Sequence, residues 1–117
     1  MIRKVDEVPG DIFEDKCGIS WTFIELSCDG FVYGYMAYMI INREAQGHSE
    51  NISITPKTFK QLVEDDWPEV VSLLKSEGVK RIYTIYEDNG KRDTWLKYVT
   101  SLGFGNHHTY CLCDMEI

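Results

Sequence analysis

The chain is poor in positive charge. Twelve Lys and Arg stand against nineteen Asp and Glu, giving a net charge of −7 and a pI near 4.8. That balance argues against sequence-independent binding to nucleic acid or anionic lipid, both of which need a positive surface. Long apolar runs are missing too. The longest, Phe31 to Ile41, is too short to cross a bilayer and carries Tyr and Gly. Met1–Glu7 lacks the apolar segment of a signal peptide. The expected compartment is the cytosol, where Cys17, Cys28, Cys111 and Cys113 read as reduced thiols rather than a disulfide framework. No repeat, linker or low-complexity tract breaks the chain, and Ile54–Leu74 contains no glycine.

What is present suits a globular fold. With 117 residues, 44% apolar and 13% aromatic, the chain can bury one core and is expected to form a single domain over residues 1–117. The clearest element is Asp93–Phe104. Trp95, Tyr98, Val99 and Leu102 recur at i, i+3, i+4 and i+7, one face of a helix. Asp93 is its expected N-cap, Gly103 its left-handed terminator, and Phe104 the apolar residue that folds back on it.

In chain order, Ile2–Val8 reads as a short strand, closed by Pro9-Gly10, with a helical turn at Asp11–Asp15. Trp21–Cys28 and Phe31–Asn42 read as a hairpin about Asp29-Gly30, a pair suited to the positive φ angles of a type I′ turn. The nearly continuous apolar character of the second strand predicts a central position, and Gly34 within it marks a bulge or a close backbone approach. Arg43–Ser49 is expected to be a polar loop and Asn51–Ile54 a fourth strand. Thr55-Pro56 opens a helix as N-cap and N1, with Phe59, Leu62 and Val63 on its apolar stripe. Glu64-Asp65-Asp66 is expected to interrupt it, a second helix starting at Asp66 or Trp67 and ending at Gly78. Lys80–Tyr86 is the fifth strand and His108–Met115 the last. The order, β(α)βββααβαβ, predicts an α/β fold with a mixed, mostly antiparallel sheet of about six strands flanked by helices.

This order, the Asp29-Gly30 hairpin, the Glu87-Asp88-Asn89 turn and the ending Tyr98-Val99-Thr100-Ser101-Leu102-Gly103-Phe104 resemble the GNAT superfamily of acyl-CoA-dependent N-acyltransferases. The resemblance covers nearly the whole chain as topology. It implies an acetyl-CoA cofactor and three chemical parts. The first is a glycine-rich loop opening the helix after the fourth strand, whose backbone N–H groups hold the CoA pyrophosphate. Here that region has no glycine, and a helix start at Glu64-Asp65-Asp66-Trp67-Pro68 would set three carboxylates against the phosphates. The second is a tyrosine acid just ahead of Leu-Gly-Phe. That place holds Val99, with Tyr98 rotated from it by about 100°. The third is a base near the fourth strand, for which Glu50 and His48 are at hand. Were acetyl-CoA bound, the resemblance implies Ile54, Asn89 and Tyr86 beside it. The chain is also similar to short GNAT-like proteins of tailed phages, in which a Thr-led helix without glycines replaces the CoA loop. Some of those are virion or host-interaction proteins.

Other groupings have plainer readings. Cys111 and Cys113 share a strand face near His107 and His108, a pattern that could serve Zn²⁺ but whose spacing differs from that of known zinc sites. They read as small core residues. Glu64-Asp65-Asp66 with Glu69 and Glu77 reads as a solvated helix junction or an acidic surface for a basic partner. Tyr33, Tyr35, Tyr38, Tyr83 and Tyr86 read as sheet packing. The leading expectation is a GNAT-fold protein without acetyl-CoA catalysis and with no cofactor, acting on a protein partner in the cytosol or a virion. The alternative is an active N-acetyltransferase with an atypical cofactor site, using Tyr98 or Tyr86 as acid and Glu50 or His48 as base. The openness of a wedge between the fourth and fifth strands, against its filling by Trp67 and Tyr86, separates the two.

Overall fold

The fold is taken from a computed structural model that describes residues 1–16, 20–86, 90–109 and 112–117, with the backbone alone at 106–109. The described residues form a seven-stranded sheet in the order β1-β2-β3-β4-β5-β7-β6. The strands are β1 (Ile2–Val5), β2 (Thr22–Cys28), β3 (Phe31–Ile41), β4 (Glu44–Asn51), β5 (Arg81–Ile85), β6 (Gly105–Thr109) and β7 (Leu112–Glu116). The first four make an antiparallel meander, β4 and β5 run parallel, and the rest is antiparallel. This is the expected mixed α/β architecture. The strand expected at His108–Met115 is instead divided between the end of β6 and most of β7, with Tyr110 and Cys111 outside the described residues.

The turns show why these segments stop where they do. Asp29 and Gly30 take φ of 52° and 83°, the left-handed pair anticipated for this hairpin. Asn42 and Arg43 do the same at 52° and 66°, and this second tight turn corrects the expected polar loop at Arg43–Ser49. Those residues form β4, paired along all eight positions with β3. Its sequence holds one strong hydrophobe, Ala45, so the strand is imposed by an apolar neighbour rather than by its own pattern. Residues 52–54, expected as part of the fourth strand, lie outside it, and Ile52 and Ile54 are exposed. Gly34 serves both anticipated purposes. The register slips beside it, leaving Tyr33 as the extra residue of a bulge. A Cβ on Gly34 would also lie 3.0 Å from the Glu50 carbonyl oxygen.

One continuous helical segment connects β4 to β5. Helix α1 (Pro56–Gln61) starts from Thr55, whose hydroxyl accepts the Thr58 N–H while Thr58 Oγ1 accepts the Thr55 N–H at 2.8 Å. Leu62–Asp66 is a π turn, and α2 (Trp67–Ser76) follows without a break. The expected interruption and second start are therefore absent. Leu62 and Trp67 are five residues apart, so the wide turn rephases the stripe and sets both against the core with Val70 and Leu74. Helix α3 (Arg92–Ser101) starts two residues ahead of expectation. Lys91 occupies its N-cap without a side-chain bond, and Asp93 lies inside the first turn. Its end is as expected: Gly103 has φ 99°, and Phe104 N–H returns to the Val99 carbonyl at 3.1 Å.

Leu62, Trp67, Val70, Leu74, Val99, Leu102 and Phe104 pack with Ile24, Leu26, Met36, Tyr38, Ala45 and Ile82 in one core. Both helical segments thus cover the same sheet face. The opposite face is crossed by the N-terminal segment, with a 3₁₀ turn at Glu14–Lys16. There Phe13 stacks on Phe23 with centroids 6.1 Å apart, and Lys16 Nζ lies 5.4 Å from the Trp21 ring. Among the described residues no helix is long and apolar enough to cross a membrane.

Candidate functional site

The sheet opens at its middle. β4 and β5 pair only through Glu44–Arg81, Ala45–Ile82 and Gln46–Tyr83. Beyond these the strands diverge, although β4 continues to Asn51 and β5 to Ile85. The wedge is therefore open, with Trp67 among the residues lining a small apolar cavity there. Two larger hollows flank it. One, of about 340 Å³, lies on the N-terminal-segment face and includes His48, Glu50, Thr84, Tyr86 and Trp95. The other, of about 490 Å³, lies toward the helices and includes Asn51, Ile54, Lys91, Lys97 and Tyr98. Ser49 lines all three.

The two mouths differ in charge. Asp11, Glu14, Asp15 and Glu50 surround the first, with Lys16 the cation among them. Lys16 is buried, and its Nζ lies 2.8 Å from an Asp15 oxygen. That bond, led over burial, draws the Asp15 carboxyl below its ordinary range. Among the described residues, the second mouth has Lys91 and Lys97 and no carboxylate. His48 is held between neighbours: its ring meets Trp21 edge-on at 5.7 Å, and its Nε2 is 2.8 Å from Gln46 Nε2. Tyr86 leans on Trp95 at 5.4 Å, and its hydroxyl accepts the Lys91 N–H.

Tyr98 is the unusual group. Its hydroxyl is buried and has no hydrogen-bond partner among the described residues, a costly condition for a polar atom. Burial raises its pKa above the ordinary phenol value, with smaller opposing pulls from Ser49 and Asn51. Val99, at the family's acid position, is buried apolar lining of the wedge.

Of the residues singled out from the sequence, His48, Glu50 and Tyr86 meet at the acidic mouth, and Tyr98 and Ile54 at the basic one. Asn89 lies outside the described residues. Ser49 was missed because its segment read as a loop, where an alternating face has no meaning. Cys28 and Cys113 are free and buried, while Cys17 and Cys111 are outside the described residues.

The acidic run also needs correction. Four residues separate helix α1 from β4, so Glu64-Asp65-Asp66 lies about two turns beyond the helix start, and none of the three lines the wedge or either mouth. Asp66 points inward, 2% exposed. Its oxygens accept from the Met1 ammonium at 2.8 Å, the Gln61 amide at 2.9 Å and the Tyr33 hydroxyl at 2.5 Å. Burial alone would raise its pKa, but these donors outweigh burial and hold it below the usual carboxylate value.

A parallel β4–β5 pair that splays within an otherwise antiparallel sheet, with both helical segments on one face, defines the fold of the GNAT acetyltransferases. No family model matches the sequence, and no curated protein does. Solved structures do match in three dimensions. The GNAT domain of S. lividans PAT aligns with TM-score 0.65 and 8% identity over 85% of this chain and 62% of that one. The IAA acetyltransferase from Bacillus cereus ATCC 14579 aligns with TM-score 0.67 and 10% identity, over 100% of this chain and 99% of that one. The Campylobacter jejuni N-acetyltransferase PseH, in complex with acetyl coenzyme A, aligns with TM-score 0.60 and 11% identity over 85% and 70% of the two chains. These identities establish the fold alone.

Proposed function

We propose that the protein binds an acyl-CoA thioester in the β4–β5 wedge and transfers the acyl group to an amine admitted at the acidic mouth. The observation that carries this reading is the loss of β4–β5 pairing after Gln46 and Tyr83, which leaves an open cleft inside the sheet. The unpartnered Tyr98 hydroxyl fits such a ligand, because a polar group entering the wedge would satisfy it. The pyrophosphate end fits less well in the family's manner. The Thr55–Thr58 capping box occupies a first-turn N–H, Pro56 has none, and Lys57 is paired with Asp29. Lys91 and Lys97 are the cations of that mouth and the groups suited to phosphate.

When bound, an acyl-CoA supplies an activated carbonyl and a thiolate leaving group. The chain's own residues must then accept a proton from the amine and donate one toward the departing sulfur. Glu50 and His48 stand at the mouth where the amine would enter. Tyr98 stands on the other side, and its raised pKa keeps the hydroxyl protonated, able to donate a hydrogen bond toward the departing sulfur. The carboxylates of the acidic mouth favour a cationic acceptor.

Calorimetric titration with acetyl-CoA tests the reading, with thiol release monitored in the presence of amines. Binding with a Kd below about 100 µM, weakened by Ser49→Leu, is the expected result. Absence of binding at millimolar ligand overturns it. A second reading, a GNAT-fold protein that has given up catalysis and binds another macromolecule, is favoured by the self-capped α1 start and the glycine-free loop before it. In that case the titration is silent.

A further inference from the structure

Two residues could take the amine proton at the acidic mouth, and the hydrogen bonds around one of them distinguish their roles. Tyr83 Oη lies 3.3 Å from Gln46 Oε1, and Gln46 Nε2 lies 2.8 Å from His48 Nε2. The three side chains sit on one sheet face because Gln46 and His48 are two apart on β4 and Gln46 is in register with Tyr83 on β5. An amide nitrogen only donates, so the ring nitrogen facing it must be the acceptor. We propose that Gln46, oriented by the Tyr83 hydroxyl, fixes His48 as the neutral tautomer with its proton on Nδ1 and its Nε2 lone pair occupied.

The assignment rests on the acyl-transfer reading only for its functional consequence. With Nε2 engaged and Nδ1 protonated, His48 has no lone pair ready for a proton. It acts as an oriented donor and positioning residue, and Glu50 is left as the proton acceptor of this mouth. Glu50 is exposed at the end of the same strand and lines the same hollow. Among the described residues, the charged and titratable groups lining the hollow beside the imidazole are Glu50 on its own strand, Asp11, Glu14, Asp15 and Lys16 on the N-terminal segment, and Tyr86 after β5. Gln46 and Tyr83 are positioning residues, touching the substrate path only through His48. The place of this clamp is also notable: Gln46–Tyr83 is the last β4–β5 pair before the strands part, so the bond joining the two strands there also orients the ring beside the opening.

Long-range ¹H–¹⁵N correlation spectra of ¹⁵N-histidine-labelled protein read the tautomer directly and need neither ligand nor activity. The His48 signals are those absent from a His48→Gln sample. The expected result is the Nδ1–H pattern in the wild type, loss of that preference in Gln46→Met, and inversion to Nε2–H in Gln46→Glu, whose carboxylate can only accept. An Nε2–H pattern in the wild type overturns the proposal, as it means the amide is turned over with Tyr83 as acceptor. So does an unchanged pattern in Gln46→Glu. Where transfer activity is found, Glu50→Gln is expected to lower kcat about 100-fold, and His48→Asn to lower it less. The reverse ranking also overturns the assignment. Failure of the acyl-transfer reading itself would show as silent titrations with the tautomer result intact.

Discussion

Replacing Tyr98 with Phe should stabilise the ligand-free protein and weaken it as a receptor. The substitution keeps the ring, which packs against the core, and removes only an oxygen that is buried without a hydrogen-bond partner among the described residues. Leaving such a group unpaired costs about 1–3 kcal/mol. Part of that is recovered when the hydroxyl is deleted, so a gain of about 1 kcal/mol is expected. For a chain of this length the unfolding entropy is on the order of 0.25 kcal/mol per degree, which makes the gain roughly 4 °C in Tm. Calorimetric or fluorescence melting of the two proteins side by side measures it. The same variant should bind acetyl-CoA about tenfold more weakly, a loss of about 1.4 kcal/mol. The opposite signs are the test. A Tyr98→Phe protein less stable than its parent by more than about 0.5 kcal/mol would show the hydroxyl to be satisfied in the free protein. The argument that it awaits a ligand would then fail.

Three further outcomes follow from geometry away from the wedge. Asp66→Asn should cost about 2–3 kcal/mol, because it weakens charge-assisted bonds to Met1, Tyr33 and Gln61 at a buried site. Because the folded-state pKa of Asp66 lies below its ordinary 3.8, the ionised carboxylate stabilises fully above that pH. The wild-type advantage over Asp66→Asn should shrink as pH falls below it, in denaturant titrations run from neutral to acid. Gly34→Ala should destabilise by about 1–2 kcal/mol, since a Cβ at 3.0 Å from a backbone carbonyl must push β3 and β4 apart; an unchanged urea midpoint would refute this. Gly103→Ala should cost about 1 kcal/mol through its left-handed φ of 99° and a 3.3 Å approach to Met115 Cε, read by the same denaturation.

Legibility in the sequence followed the strength of local pattern. Asp29-Gly30, Thr55-Pro56 and Leu102-Gly103-Phe104 each encode their conformation within a few residues, and each was read correctly. β4 failed that test. Its alternation places Ala45, Gly47, Ser49 and Asn51 toward the core side, but only one of these is a strong hydrophobe. The turn ahead of it uses Arg43 in a conformation that arginine seldom signals. Expecting a second helix start at Glu64–Pro68, where one continuous segment runs through, cast the acids at 64–66 as a barrier to phosphate. The π turn was equally hidden, because i to i+5 spacing is not a period one looks for, and the destination of Asp66 depends on partners up to 65 residues away. The mouths of the wedge could not be foreseen at all. They arise where two strands distant in sequence stop pairing, and only that sets His48 and Glu50 at one mouth and Tyr98 at the other.

The short β4–β5 register makes the sheet two plates joined along a narrow seam. β1 to β4 form one plate and β5, β7 and β6 the other, and three residue pairs hold them edge to edge. Past the seam, β4 keeps alternate backbone donors and acceptors facing inward with no strand among the described residues to meet them, an edge enclosed within the molecule rather than on its rim. Any extended ligand with amide groups laid there would stitch the plates together. Its first effect would be mechanical: slower amide exchange along residues 47–51 and 84–86, and a narrower range of angles between the two halves, before any chemistry takes place.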